Sequence, residues 1–205
     1  MNAVWSLVRD ERTALARDLQ PITGDAWETP SLCPGWTVHD VIAHLVDGAR
    51  TGRARFVGQM IRARMDFDRL NGTGITRERG ASPAETLERL TATIPLTRTP
   101  PAPPATRLVE MVVHGEDVRR PLGISRTYPL AAVLPALRLQ ARTSASFGGA
   151  RERVAGLRLT ATDTDLVLGD GPEVAGMALA LLLAISGRPV RADELTGPGV
   201  PELCP

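Results

Sequence analysis

The stretch from Thr106 to Arg120 constrains this chain most. Leu108, Val109, Met111, Val112, Val113 and Val118 spread apolar side chains over most of a helical wheel, and Pro121 ends the run. A helix apolar nearly all round is expected to be buried. Yet this one carries Glu110 and His114, one turn apart and about 40° from each other on the wheel. A carboxylate in such a place is costly unless it is paired or bound to a cation. Asp117, a turn beyond His114, is placed to accept a hydrogen bond from the imidazole.

Three further segments share this helical periodicity. Val4, Leu7, Val8, Leu15 and Leu19 predict a first helix over about residues 2–20. Thr37, with Asp40 three positions on, forms a capping-box start for a second. Its apolar pattern, Val38, Val41, Ile42, Leu45 and Val46, is read as continuing to about residue 68, and residues 71–80, Gly-rich and polar, as a loop. Ser82-Pro83-Ala84-Glu85 starts a third helix running to about Ile94. The five prolines of residues 95–104 make a connector. With the helix to Arg120, these predict an antiparallel four-helix bundle over residues 1–125.

Residues 126–205 read differently, as a smaller α+β region. Leu130 to Phe147 predicts a helix, and Val154–Thr162 with Asp165–Leu168 a β-hairpin turning at Asp163 and Thr164. Glu173–Ser186 predicts an apolar helix, with Gly169-Asp170-Gly171-Pro172 as the turn before it. The tail from Leu195 is Gly- and Pro-rich. The fold class is therefore mainly α.

Composition removes several functions. Every one of the 24 basic residues is Arg, set against 23 acidic residues, for a net charge of +1. That balance gives no electrostatic reason for a nucleic acid or an anionic membrane as partner. Without lysine there is no Schiff base and no phosphate-loop lysine. The two cysteines, Cys33 and Cys204, have no CxxC spacing and read as thiols of a reducing, cytoplasmic setting. The run Met177–Ile185 is too short to span a bilayer. Trp5, Trp27 and Trp36 read as core anchors, and Glu116 with Arg120 as a surface ion pair.

The second helix offers a third chemical group. His44 shares its face with Val41, Leu45 and Gly48, with Asp40 and Asp47 a turn to either side as residues that could orient it. His39 lies about 140° away on the wheel and cannot face the same site. His44, Glu110 and His114 would give a divalent ion two imidazoles and one carboxylate, with a coordination position left open. Zinc suits such donors, and nickel, iron or manganese are also compatible. The competing reading is that these are satisfied core or surface residues of a structural bundle.

The segment Leu32-Cys33-Pro34-Gly35-Trp36-Thr37-Val38-His39-Asp40-Val41-Ile42-Ala43-His44-Leu45 resembles the first motif of the mycothiol-dependent maleylpyruvate isomerase family, whose members are DinB/YfiT-like metal-binding bundles. Glu110-Met111-Val112-Val113-His114-Gly115-Glu116-Asp117-Val118-Arg119-Arg120 is similar to its second motif. The stretch from Gly156 to Arg188 resembles the family's accessory region. The resemblance implies a metal on His44, Glu110 and His114, and mycothiol as thiol cosubstrate. It implies a transferase or isomerase acting on a small electrophile, with Arg119, Arg120 or an arginine of the second helix to hold an anionic substrate. A homodimer is compatible with it. The alternative is a non-catalytic metal-binding or sensing protein.

Overall fold

The computed structural model describes residues 3–204. They fall into two compact units that divide between Arg126 and Thr127.

The first unit is built on α1 (Ala3–Leu19), α2 (Val38–Arg50), α5 (Pro83–Ala92) and α6 (Thr106–Arg119). α1 packs against α5 and α6, and α2 packs against the same two, which closes a four-helix bundle. The expected start at residue 2 lies outside the described residues. Val8, Leu15 and Leu19 of α1 meet Val38, Val41, Ile42 and Val46 of α2, Leu90 of α5, and Leu108, Val112 and Val118 of α6 in the buried core. Thr37 and Asp40 form the expected capping box, and Ser82 caps α5 through Glu85 N.

Polar groups also tie the bundle, which hydrophobic patterning does not announce. Arg12 of α1 is buried and donates to the carbonyls of Thr93 and Leu96 at 2.8 and 2.7 Å. Buried Glu11 takes a two-pronged ion pair from Arg126 at 2.9 and 3.2 Å. Arg119 is fully buried, its Nε donating to Asp18 at 2.7 Å. Glu116 pairs with Arg120 as expected, but Glu116 is buried.

The second helix is shorter than its sequence suggests. α2 stops at Arg50, where Thr51 turns extended (φ −90°, ψ 111°) and Gly52 caps a new helix, α3 (Arg53–Arg62). Arg64 and Met65 then adopt left-handed backbone at φ 57° and 63°, and Asp66 caps α4 (Phe67–Glu78). Residues 71–78 are therefore helix, not loop. Gly74 serves a close approach: a Cβ there would fall 2.3 Å from Asp47 Oδ2, so glycine lets α4 lie against α2.

The second unit holds α7 (Leu130–Arg142), β1 (Arg158–Ala161), β2 (Val167–Leu168), β3 (Glu173–Gly176), α8 (Ala178–Ile185), β4 (Leu195–Thr196) and α9 (Val200–Leu203). The hairpin β1–β2 forms, with Leu159 opposite Leu168. α7 ends at Arg142, and a short 3-10 turn covers Ala145–Phe147. The expected helix 173–186 is a strand followed by a helix. β3 pairs parallel to β1 and antiparallel to β4, giving the order β2-β1-β3-β4. Gly169–Pro172 is thus a turn before a strand. The helix begins late because Asp163, in the hairpin turn, accepts from Ala178 N at 2.9 Å and caps α8 from outside.

Candidate functional site

α2 and α6 are buried along most of their length. Among the residues of these helices still partly open to solvent are His44 and Gly48 on α2, and Glu110 and His114 on α6. Each pair is spaced i,i+4, so each forms one short stripe, and the two stripes meet across the α2–α6 contact.

The rings come together. The His44 and His114 centroids are 4.9 Å apart with planes at 75°. Trp36 lies 5.0 Å from His44 and 6.4 Å from His114, near-parallel to the latter at 26°. It is held by its own loop, where Ser31 N and Oγ donate to the Trp36 carbonyl at 2.9 and 2.8 Å and Trp36 N donates to Cys33 O at 3.1 Å. Leu32 N donates to Asp117 O at 3.2 Å, fastening this loop to α6. Of the three tryptophans, Trp27 is the core anchor expected of all, whereas Trp36 walls the histidines.

Asp117 takes the expected place: its carboxylate is fully buried and lies 2.8 Å from His114 Nδ1. With Nδ1–H donated there, the lone pair of His114 rests on Nε2. Glu110 is less simply disposed. Arg107 Nη2 donates to its Oε1 at 2.6 Å, while Arg107 Nη1 donates to Gly48 O at 3.0 Å. The other oxygen, Oε2, would lie 3.1 Å from a Cβ on Gly48. Arg107 is buried, and its Nε has no hydrogen-bond partner among the described residues. Burial also draws the Arg12 guanidinium down to about 10, Glu110 opposing the shift and Arg107 adding to it, so Arg12 stays charged at neutral pH.

The donor chemistry suits a divalent cation: two imidazoles, one braced by a carboxylate, and a carboxylate with one oxygen anchored and the other turned to α2. Among the described residues, no three His, Cys, Asp or Glu side chains are already gathered as a metal-holding group. The structure brings His44 to His114 and leaves Glu110 ion-paired beside them.

Other expected participants are engaged elsewhere. His39 is buried against Trp27, with Nε2 2.7 Å from Thr86 Oγ1 and Nδ1 3.4 Å from Glu28. Asp40 caps α2 and pairs with Arg79, and Asp47 is held by Arg77 and Thr51, so these carboxylates brace α4 and its C-cap. Arg119 and Arg120 serve Asp18 and Glu116, and Arg50 serves Glu78 at 2.6 Å. Cys33 is a half-buried free thiol. Arg107 escaped the sequence reading, although its i,i+3 spacing to Glu110 was a signal.

Together these features define a DinB-like helical bundle with a histidine-rich seam between two of its helices. Residues 8–99 match the family model for the mycothiol maleylpyruvate isomerase N-terminal domain, the family that the first motif resembles. His44 and Trp36 lie inside the matched stretch; Glu110 and His114 lie beyond it. Among solved structures, the chain is similar to the mycothiol-dependent maleylpyruvate isomerase and to a histidine-to-alanine mutant of it. Each match has a TM-score of 0.64 and 17% identity, over 95% of this chain and 91% of the other. Among curated proteins no sequence matches. No helix of the described residues is long and apolar enough to cross a membrane.

Proposed function

We propose that this chain is a thiol-dependent isomerase or transferase that uses mycothiol or a related small thiol on a small electrophile, with a divalent metal held by His44, Glu110 and His114. The observation that carries the reading is the meeting of His44 and His114 beside Trp36, on a partly open seam of an otherwise buried bundle. The family match over residues 8–99 and the enzyme's name on the similar structures support the same chemistry.

A bound divalent ion supplies a Lewis acid that lowers a thiol's pKa toward neutrality. The chain's own residues prepare the place. Asp117 fixes the His114 ring with Nε2 as the acceptor. Arg107 holds one oxygen of Glu110 and so orients the carboxylate. Gly48 leaves room for both. Trp36 supplies an apolar wall that limits water around the rings. Cys33 need not act as nucleophile, because the thiol arrives with the cosubstrate.

The test is elemental analysis of tag-free protein, with His44→Ala and His114→Ala alongside. Loss of metal with helical circular dichroism retained is expected, and full occupancy in both variants would sink the assignment. Thermal shift with mycothiol in the presence of zinc then separates enzyme from metal-binding or sensing protein. No shift at millimolar thiol would favour the latter.

A further inference from the structure

A second polar cluster lies on the α3–α4 hairpin, and none of its lining residues belongs to the histidine seam. On α3, Arg55, Gln59 and Arg62 recur at i, i+4 and i+7; on α4, Arg69, Thr73 and Arg77 recur at i, i+4 and i+8. Both spacings keep their residues on one helical face. The two stripes line a single cavity of about 280 Å³, with Ala63 and Leu70 at its floor. Met60, Ala63 and Leu70, with Phe56 packed against them, form the small core beneath it.

Four guanidinium groups therefore border one small space, and carboxylates answer only part of their charge. Arg77 pairs with Asp47 and Glu78, and Arg55 lies 3.8 Å from Glu78, which also serves Arg50. Gln59, with its amide oxygen turned to Arg77, accepts from Nη1 and Nη2 at 3.2 Å each. That orientation leaves its amide N–H groups to donate. Thr73 Oγ1 spends its proton on Arg69 O at 2.8 Å. Arg62 and Arg69 have no side-chain ion pair among the described residues. Arg55, Arg62 and Arg69 are exposed, so water screens part of the repulsion between these like charges, and an anion between them would relieve the rest.

We propose that this cavity binds a small oxyanion carrying at least two negative charges, of the phosphate or dicarboxylate class, through Arg62 and Arg69 with Arg55 and Arg77 as flanking charges. Its volume lies near the lower end for small-molecule sites, which fits a compact anion rather than a nucleotide or larger ligand. Guanidinium groups match such oxygens in planar, two-pronged hydrogen bonds. The net charge of +1 shows that this basic character is local and not a property of the whole surface.

Isothermal titration with inorganic pyrophosphate, inorganic phosphate and malonate, each at matched ionic strength, tests the site. Saturable one-to-one binding of at least one of them is expected, and which one binds decides between phosphate and carboxylate chemistry. The double variant Arg62→Gln/Arg69→Gln should weaken that binding at least tenfold. The exposed Arg191→Gln serves as control and should leave it unchanged. No saturable binding of any of the three would overturn the proposal, as would equal loss in the control or full affinity in the double variant.

Discussion

A Cβ on Gly48 would stand 3.1 Å from both Glu110 Oε2 and Arg107 Nη1, so α2 and α6 pass here without room for an unshifted side chain. Gly48→Ala gains helix propensity of about 1 kcal/mol in α2. It must also push aside the ends of Glu110 and Arg107. We expect unfolding free energy to change by no more than about 1 kcal/mol in either direction. Zinc affinity, read by competition with a chelating dye, should fall at least tenfold. Unchanged affinity would place the metal away from Glu110.

The buried Asp117 carboxylate, 2.8 Å from His114 Nδ1, governs which nitrogen of that ring can accept. Asp117→Asn keeps the shape but removes the charge and can present N–H to the ring. Metal affinity should drop roughly 10–100-fold. Asp117→Glu should not restore it, because the extra methylene has to be fitted at a fully buried position. Wild-type affinity in Asp117→Asn would refute the bracing role.

The bundle was readable because its four helices carry local signals. Thr37 with Asp40, Ser82 with Glu85, and Pro121 after α6 mark ends chemically, and the apolar spacing between them fixes a buried face. What failed depended on contacts far along the chain. Gly74 resembles a loop residue until Asp47 is seen pressing on α4. Residues 173–176 carry no strand signal stronger than their helical one; pairing with β1 and β4 decides them. At the site, His44 and the pair Glu110 and His114 could be singled out by wheel geometry. Their nearness could not, because it rests on how α2 meets α6. The buried arginines Arg12, Arg107 and Arg119 were hidden for a similar reason, since their partners are carbonyls and carboxylates on other elements or a turn away.

Gly74 is a stricter case than Gly48. A Cβ there would fall 2.3 Å from Asp47 Oδ2 and 2.9 Å from Asp47 Cγ. Asp47 cannot swing away cheaply, being held by Arg77 and by Thr51 Oγ1 at 3.3 Å. Gly74→Ala should therefore cost about 1–3 kcal/mol in urea unfolding despite its better helix propensity. The double variant Gly74→Ala/Asp47→Ala should recover part of that loss. A stabilised single variant would show that α4 does not press on α2 as described.

His39 sets the last expectation, a pH dependence. Burial, then the positive charge of Arg79, holds its imidazole below the ordinary value of 6.5. Thr86 Oγ1 at 2.7 Å from Nε2 suits a neutral ring that accepts there. The unfolded chain takes up a proton near pH 6.5 that the folded chain resists. The stabilisation is thus complete above that value and is lost as pH falls through it toward the folded pKa. Two carboxylates extend the trend at lower pH. Glu28 is held low chiefly by its hydrogen bond from Arg79. Burial would raise Asp40, but hydrogen bonds from the Thr37 backbone and Arg79 outweigh it and hold it low. Both contributions are present above the ordinary carboxylate range and are lost as pH falls through it. Urea unfolding at pH 7.5, 6.5 and 5.5 should show falling stability in the wild type. His39→Gln, although less stable at pH 7.5, should show a shallower fall over that interval. An equal slope in the two proteins would assign the dependence to other groups.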